Sequence, residues 1–205
     1  LLYDNYNMVQ WDKGFLYYGS LFVIIDFIFY WYHRWNHSIN FLWAAHSPHH
    51  SSEEFNFTVG SRASITQRLF SFTFYWPLCF VGFEPLDIYM TTGIHLIVGF
   101  THHTRLIPKL GKFIEYIFNT PSHHRVHHGT NKIYLDKNFA EVFIIWDRIF
   151  GTFKEESEPV RYGILRHPES NSITTINFHF WSLLAKDFCE TKSIKDKLRL
   201  WFMPL

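Results

Sequence analysis

Residues 14–37 read GFLYYGSLFVIIDFIFYWYHRWNH, an apolar run that closes on two histidines four positions apart. Residues 14–32 are apolar apart from Asp26 and a few small polar groups. As a helix, that stretch rises about 28 Å, close to the roughly 30 Å hydrocarbon thickness of a bilayer. Tyr30, Trp31, Tyr32 and Trp35 crowd its far end, as aromatic side chains do where a span meets lipid headgroups. The run therefore predicts a membrane helix that delivers His33 and His37 to one surface of the bilayer.

Two further apolar stretches, 69–83 and 86–101, flank Glu84-Pro85. Each is short for a full crossing, so together they predict a helical hairpin that enters the membrane and returns. One span plus a returning hairpin leaves every histidine-rich segment on the same side. Arg34, Arg62, Arg68, Arg105, Lys109, Lys112, Arg125, Lys132 and Lys137 lie on that side, which the positive-inside rule makes cytosolic. Beyond Gly129, a polar loop precedes a helix predicted near 139–150 and stopped by Gly151. Residues 176–184 are expected at the membrane surface, and the tail from Glu190 as a solvated helix. The fold class expected is an all-α integral-membrane helical bundle carrying a cytosolic, histidine-rich di-metal layer, in one domain over 1–205. The sequence opens at Leu1 without a methionine, so a piece of a longer protein is expected.

Composition narrows the function classes. The 205 residues hold 19 Lys and Arg against 18 Asp and Glu, a net charge of +1, which argues against a nucleic-acid partner. Phe, Tyr and Trp number 23, 11 and 8, far too much apolar surface for a disordered chain. Cys79 and Cys189 form no spaced pair, so neither a disulfide framework nor a cysteine-based zinc module is supported.

Histidine is the informative residue. The chain has 14, and 11 of them fall within 33–50 and 102–128. His33 and His37 form a His-x3-His, a spacing that puts two imidazoles on one helical face within reach of one metal. Asp26 and Tyr30 continue that face. An acid inside an apolar span needs a partner, either a ligand imidazole that it orients or a Tyr or backbone group of the bundle. His46-Ser47-Pro48-His49-His50 is a His-x2-His-His whose side chains fan over about 100°, enough to serve two adjacent metals. Pro48 predicts a break or fresh helix start there, with Ser47 as cap. His124, His127 and His128 repeat the pattern. Between these elements stand His95, His102 and His103; the helical period from His95 leaves either of the adjacent pair open, with a slight lean to His102. Glu53, Glu54 and Asn56, just after the second element, are candidates to support ligands from behind, or else plain loop polarity.

So many neutral imidazoles exceed the needs of one tetrahedral zinc, and two metals are implied. Imidazole suits iron, zinc and copper alike. A site at the mouth of an apolar bundle faces lipid chains, and attack on an unactivated C–H bond requires O2 activated by a redox metal. Two irons, O2, a membrane lipid substrate and an external electron-donor partner use these features together. Desaturation by the same centre is the nearest alternative, and a non-redox zinc-binding membrane hydrolase the alternative from another class.

The segments FYWYHRWNH (29–37), LWAAHSPHHSSEEFN (42–56) and NTPSHHRVHHGTNKIYLDKNFAEVFIIWDRIFGTF (119–153) resemble the fatty acid hydroxylase / sterol desaturase superfamily of integral-membrane di-iron enzymes, closest to its alkylglycerol monooxygenase-like members. The resemblance covers roughly residues 15–185. It implies His33, His37, His46, His49, His50, His103, His124, His127 and His128 as iron ligands. It prefers His103 over His102 because Thr104 follows, and it makes His95 a tenth contact. It also implies no catalytic residue beyond the ligands, two irons that zinc replaces in purified samples, and a place in the bacterial inner membrane or the endoplasmic reticulum. Animal alkylglycerol monooxygenases carry Glu directly after the His-x3-His, where this chain has Ser38. The electron donor is therefore left unassigned. Trp146, Asp147 and Arg148 match the family's WDxxFGT stretch and are expected to lock the C-terminal part against the metal layer.

Overall fold

The computed structural model describes residues 2–203, and all regular structure among them is helical. In chain order the helices are α1 (Leu2–Tyr6), α2 (Phe15–Asn36), α3 (Asn40–His50), α4 (Phe57–Gly60), α5 (Ile65–Tyr75), α6 (Pro85–Thr101), α7 (Lys112–Ile117), α8 (Pro121–His127), α9 (Ile145–Ile149), α10 (Ile173–Glu190) and α11 (Ile194–Phe202).

Among the described residues, α2 alone is long and apolar enough to cross a membrane. The expected hairpin forms beside it. Helix α5 runs into a 3-10 turn at Trp76–Cys79, and Pro85 opens α6, where its missing N–H costs nothing. Gly82, with φ +95°, makes the reversal, and the Val9 carbonyl sits where any Cβ would have to go. Tyr17, Leu21 and Ile25 of α2 pack against Tyr75, Leu78, Cys79, Phe83 and Ile88 of the hairpin. The opposite faces of the hairpin leave Leu69, Phe72, Leu86, Tyr89, Met90 and Ile97 exposed. Exposed apolar surface of this kind marks a contact with a protein partner or a membrane.

Two expectations change. First, α3 runs through Pro48 with no fresh start, since the proline falls in its last turn and Ser51 N and Oγ both bond the Pro48 carbonyl. Second, residues 139–144 are not helical, and only Ile145–Ile149 coil. Two carboxylates take the amides that a helix would have used. Asp147 accepts from Phe139 N and Ala140 N, both at 2.8 Å, and Asp26 accepts from Val142 N at 2.9 Å and Phe143 N at 3.0 Å. The tail from Glu190 is the solvated helix expected, since α11 has no buried residue, and both C-terminal helices also touch α3. Trp43 meets Phe180 of α10 at 5.7 Å between ring centroids, Phe41 meets Phe202 of α11 at 5.5 Å, and Asn40 Nδ2 donates to Leu200 O at 2.7 Å.

Candidate metal centre

Helix α2 carries His33 and His37 at its C-terminal end, α3 carries His46, His49 and His50 in its last two turns, and α8 carries His124 and His127 with His128 as its C-cap. His103 follows the end of α6. These nine side chains converge in two groups: His33, His37, His46, His50 and His127 in one, His49, His103, His124 and His128 in the other. Within each group one nitrogen per ring lies within 4.8 Å of all the others. Each His-x2-His-His element splits between the groups, as a 100° step per residue requires. His49 leaves His46 and His50, and His127 leaves His124 and His128. The groups abut, with the His50 and His128 rings stacked at 4.2 Å.

The donor atoms fit metal ions. Nε2 atoms approach one another at 3.1 Å (His33–His46 and His46–His50), 3.2 Å (His49–His103 and His124–His128) and 2.9 Å (His103–His124). Two nitrogens each about 2.1 Å from one ion and at right angles to it would stand about 3 Å apart. The tautomers agree. A carbonyl only accepts, so His33 Nδ1–H donates to Phe139 O at 2.8 Å, His127 Nδ1–H to Lys137 O at 3.0 Å, and His103 Nδ1–H to Gly99 O at 2.9 Å. That leaves each Nε2 lone pair facing inward, the arrangement typical of ligand histidines. His37 Nε2 and His127 Nε2 are buried without any hydrogen-bond partner. Burial holds His37, His46, His49, His50, His124, His127 and His128 well below the usual histidine range, and His103 at about 4. The rings are therefore neutral near pH 7, the form that coordinates a metal.

The remaining histidines do other things. His95 lies outside both groups, donating from Nδ1 to Thr91 O at 2.9 Å against the Phe22 ring. His102 is also outside, with Nδ1 3.4 Å from Asn119 Nδ2. His123 turns away from the centre to pair with Glu115 at 2.9 Å.

The residues expected to back the ligands are corrected. Asp26 makes its close bonds to Val142 N, Phe143 N and Trp146 Nε1, and its nearest histidine, His95, stands at 3.9 Å. It therefore satisfies loop backbone, the second of the two roles its burial allowed. Tyr30 bonds Thr152 Oγ1 at 3.0 Å and receives Arg34 Nη1 at 3.1 Å, tying α2 to the segment after α9. Glu53, Glu54 and Asn56 are exposed: Glu54 pairs with Arg105, Glu53 lies 3.6 Å from His167, and Asn56 caps α4 through Thr58 N. The loop turns Phe55 inward against the His103, His124 and His128 rings and turns these polar groups outward to solvent. Asp147 locks the loop to the metal layer through Phe139 N, Ala140 N and Thr152 Oγ1.

Two cavities flank the centre. One of about 720 Å³ touches His37, His50, His127 and His128 and is walled by Ser38, Trp43 and the C-terminal helices. The other, about 130 Å³, touches His33, His46, His49, His103 and His124 and leads toward the hairpin. Sequence reasoning missed Glu141, which lines the smaller cavity, because that cavity forms only when segments distant in the chain come together.

Residues 19–152 match the family model for fatty acid hydroxylase, well over half of the chain. The chain belongs to the fatty acid hydroxylase family. Among curated relatives it is 40% identical over 204 residues to human alkylglycerol monooxygenase, covering 98% of this chain and 45% of that protein. It is 39% identical over 203 residues to the Xenopus tropicalis alkylglycerol monooxygenase, covering 98% of this chain and 45% of the other. Ornithine lipid hydroxylase of Rhizobium tropici is 30% identical over 152 residues, covering 73% of this chain and 45% of that protein. The chain thus spans about half the length of the curated relatives it matches. No solved structure matches it.

Proposed function

We propose that this chain is the metal-binding core of a membrane-embedded di-iron monooxygenase that hydroxylates a lipid. The observation that carries the reading is the convergence of nine histidines into two abutting groups at the ends of apolar helices. In this reading α2 and the α5–α6 hairpin sit in the bilayer, and the histidine layer faces the cytosol of a bacterial cell or the cytosolic side of the endoplasmic reticulum. Two irons held there would supply O2 activation: with two electrons from an external donor and two protons, one oxygen atom enters a C–H bond and the other leaves as water.

The chain's own residues do the rest. The carbonyls of Phe139, Lys137 and Gly99 fix three imidazoles with Nε2 inward, so the ligands need no rearrangement during turnover. Burial keeps the rings neutral. The smaller cavity, open toward the hairpin and bounded by ligands of both groups, positions one carbon of the lipid and keeps bulk water from it. The substrate is an alkyl ether lipid or a fatty acyl or sterol lipid. Hydroxylation at an ether-bearing carbon would give a hemiacetal that cleaves.

The test uses protein purified anaerobically, loaded with iron in lipid nanodiscs, and supplied with a reductant and 18O2. The expected product is a lipid carrying one 18O atom, lost on replacing iron with zinc. An unlabelled alkene product would show desaturation instead. Two tightly held zincs with no iron-dependent O2 uptake would favour a hydrolase and overturn the proposal.

A further inference from the structure

The smaller cavity is unexpectedly polar for a space that receives lipid. Apart from nitrogens of the ligand histidines, three buried side-chain atoms of its lining have no hydrogen-bond partner: Glu141 Oε2, Gln67 Oε1 and Thr92 Oγ1, from a loop, α5 and α6 respectively. Buried polar atoms are almost always paired, and an unpaired group in a cavity beside reactive ligands awaits a partner that comes and goes. An alkyl chain would leave all three unmet. The fold also makes room for the acid. A Cβ at Gly99 would collide with the Glu141 carboxylate, so the absent side chain on α6 is what lets that carboxyl reach the cavity.

We propose that Glu141, with Thr92 and Gln67, recognises a hydroxyl group of the lipid a few atoms from the carbon to be oxidised, and so determines which lipids react. The proposal rests on the oxygenase reading above for its substrate. At about 130 Å³ the cavity has room for roughly four waters' worth of material, so it takes a short polar fragment and not a whole chain. Burial and the nearby Asp26 carboxylate raise the Glu141 carboxyl well above the usual carboxylate range, against the opposing pull of Arg68. A neutral carboxyl both donates and accepts, as a hydroxyl partner needs, and it offers no counter-charge to a cationic headgroup. Arg68, on the same wall, also disfavours a cation. Sites that hydrogen-bond a substrate hydroxyl reject analogues lacking it far better than apolar pockets discriminate by size.

The experiment reads binding to zinc-loaded protein in nanodiscs, which does not turn over. The probes are radiolabelled pairs: 1-O-hexadecylglycerol against hexadecyl propyl ether, and cholestanol against cholestane. Wild type should prefer the hydroxyl-bearing member of at least one pair by about tenfold or more. Glu141→Leu should bring that ratio near one, while Glu141→Gln, which still donates and accepts, should keep most of it. Absence of any preference in wild type overturns the proposal, as does an unchanged ratio in a Glu141→Leu variant that still holds two zincs. Should Glu141→Leu fail to hold zinc, Thr92→Val decides: a fall of about threefold or more supports the proposal, and an unchanged ratio overturns it. Failure of the iron-loaded protein to oxidise lipid would sink the oxygenase reading while the binding ratio still reports on Glu141.

Discussion

The five-histidine group takes its orientation from a loop, and the four-histidine group takes it from a helix. In the first, His33 and His127 lean on the carbonyls of Phe139 and Lys137, and that loop keeps its shape because Asp26 and Asp147 occupy its amides. In the second, His103 leans on Gly99 of α6, four residues before it, and the others come from helix ends. The bond that orients His33 thus spans 106 residues of chain, whereas the one that orients His103 spans four. A perturbation of the loop should reach the first metal and spare the second.

The largest effects should come from the ligands themselves. His124→Ala leaves three donors in the four-histidine group and should lower bound metal from two ions per chain to one. His127→Ala leaves four donors in the other group, so it should keep two ions until challenged with a chelator. Both should cost at least about a hundredfold in O2-dependent turnover while membrane insertion is unchanged, as metal analysis, O2 uptake and membrane fractionation will read. Loss of insertion in either variant would make that histidine structural.

Next comes Asp26→Asn, which leaves one acceptor oxygen for three donors, Val142 N, Phe143 N and Trp146 Nε1. At least one buried donor goes unpaired, a cost of about 1–3 kcal/mol. Chelator competition should show affinity in the five-histidine group down by about 10- to 100-fold and the other group unchanged. Equal loss in both would break the contrast between loop and helix.

Acid should act on both groups together. The folded state holds these imidazoles neutral, whereas the unfolded chain protonates them below the ordinary value of 6.5. The unfolded state therefore binds more protons there, and stability is present above about 6.5 and lost as pH falls below it. Thermal unfolding of chelator-treated protein should follow that course. Zinc-loaded protein should resist to lower pH, because protons must first displace the metal.

The smallest effect is expected from Glu115→Gln. Glu115 accepts from Thr120 Oγ1 at 2.9 Å and Ser122 Oγ at 2.8 Å and pairs with His123, so it steadies the start of α8. Since α8 supplies ligands to both groups, affinity should fall slightly and equally in each, with a melting point lower by about 2–4 °C. A selective loss in one group would show that α8 does not move as a unit.

The sequence made the local features legible. Apolar runs and Pro85 announced α2 and the hairpin, and histidine spacing announced the elements and their division between two metals. Contacts distant in the chain left no such mark. The run 139–144 has helical apolar spacing, yet Asp26, 116 residues before Val142, claims its backbone. For the same reason Asp26 and Tyr30, which share a helical face with His33, turn out to serve the loop and Thr152. Periodicity from His95 slightly favoured His102, but α6 ends at Thr101 and His95 lies outside the groups, so the reference for that count was absent. Glu141 gave no signal because its meaning depends on a cavity lined by residues of α2, α3, α5, α6 and α8.

X-ray absorption at the iron edge, on protein prepared without oxygen and reconstituted with iron, tests the central claim most directly. Two irons per chain, each in a nitrogen shell with the multiple-scattering pattern of several imidazoles and no sulfur neighbour, are predicted. A single iron per chain, or irons ringed by oxygen with one imidazole or none, would contradict the claim that these nine rings form two adjoining metal sites.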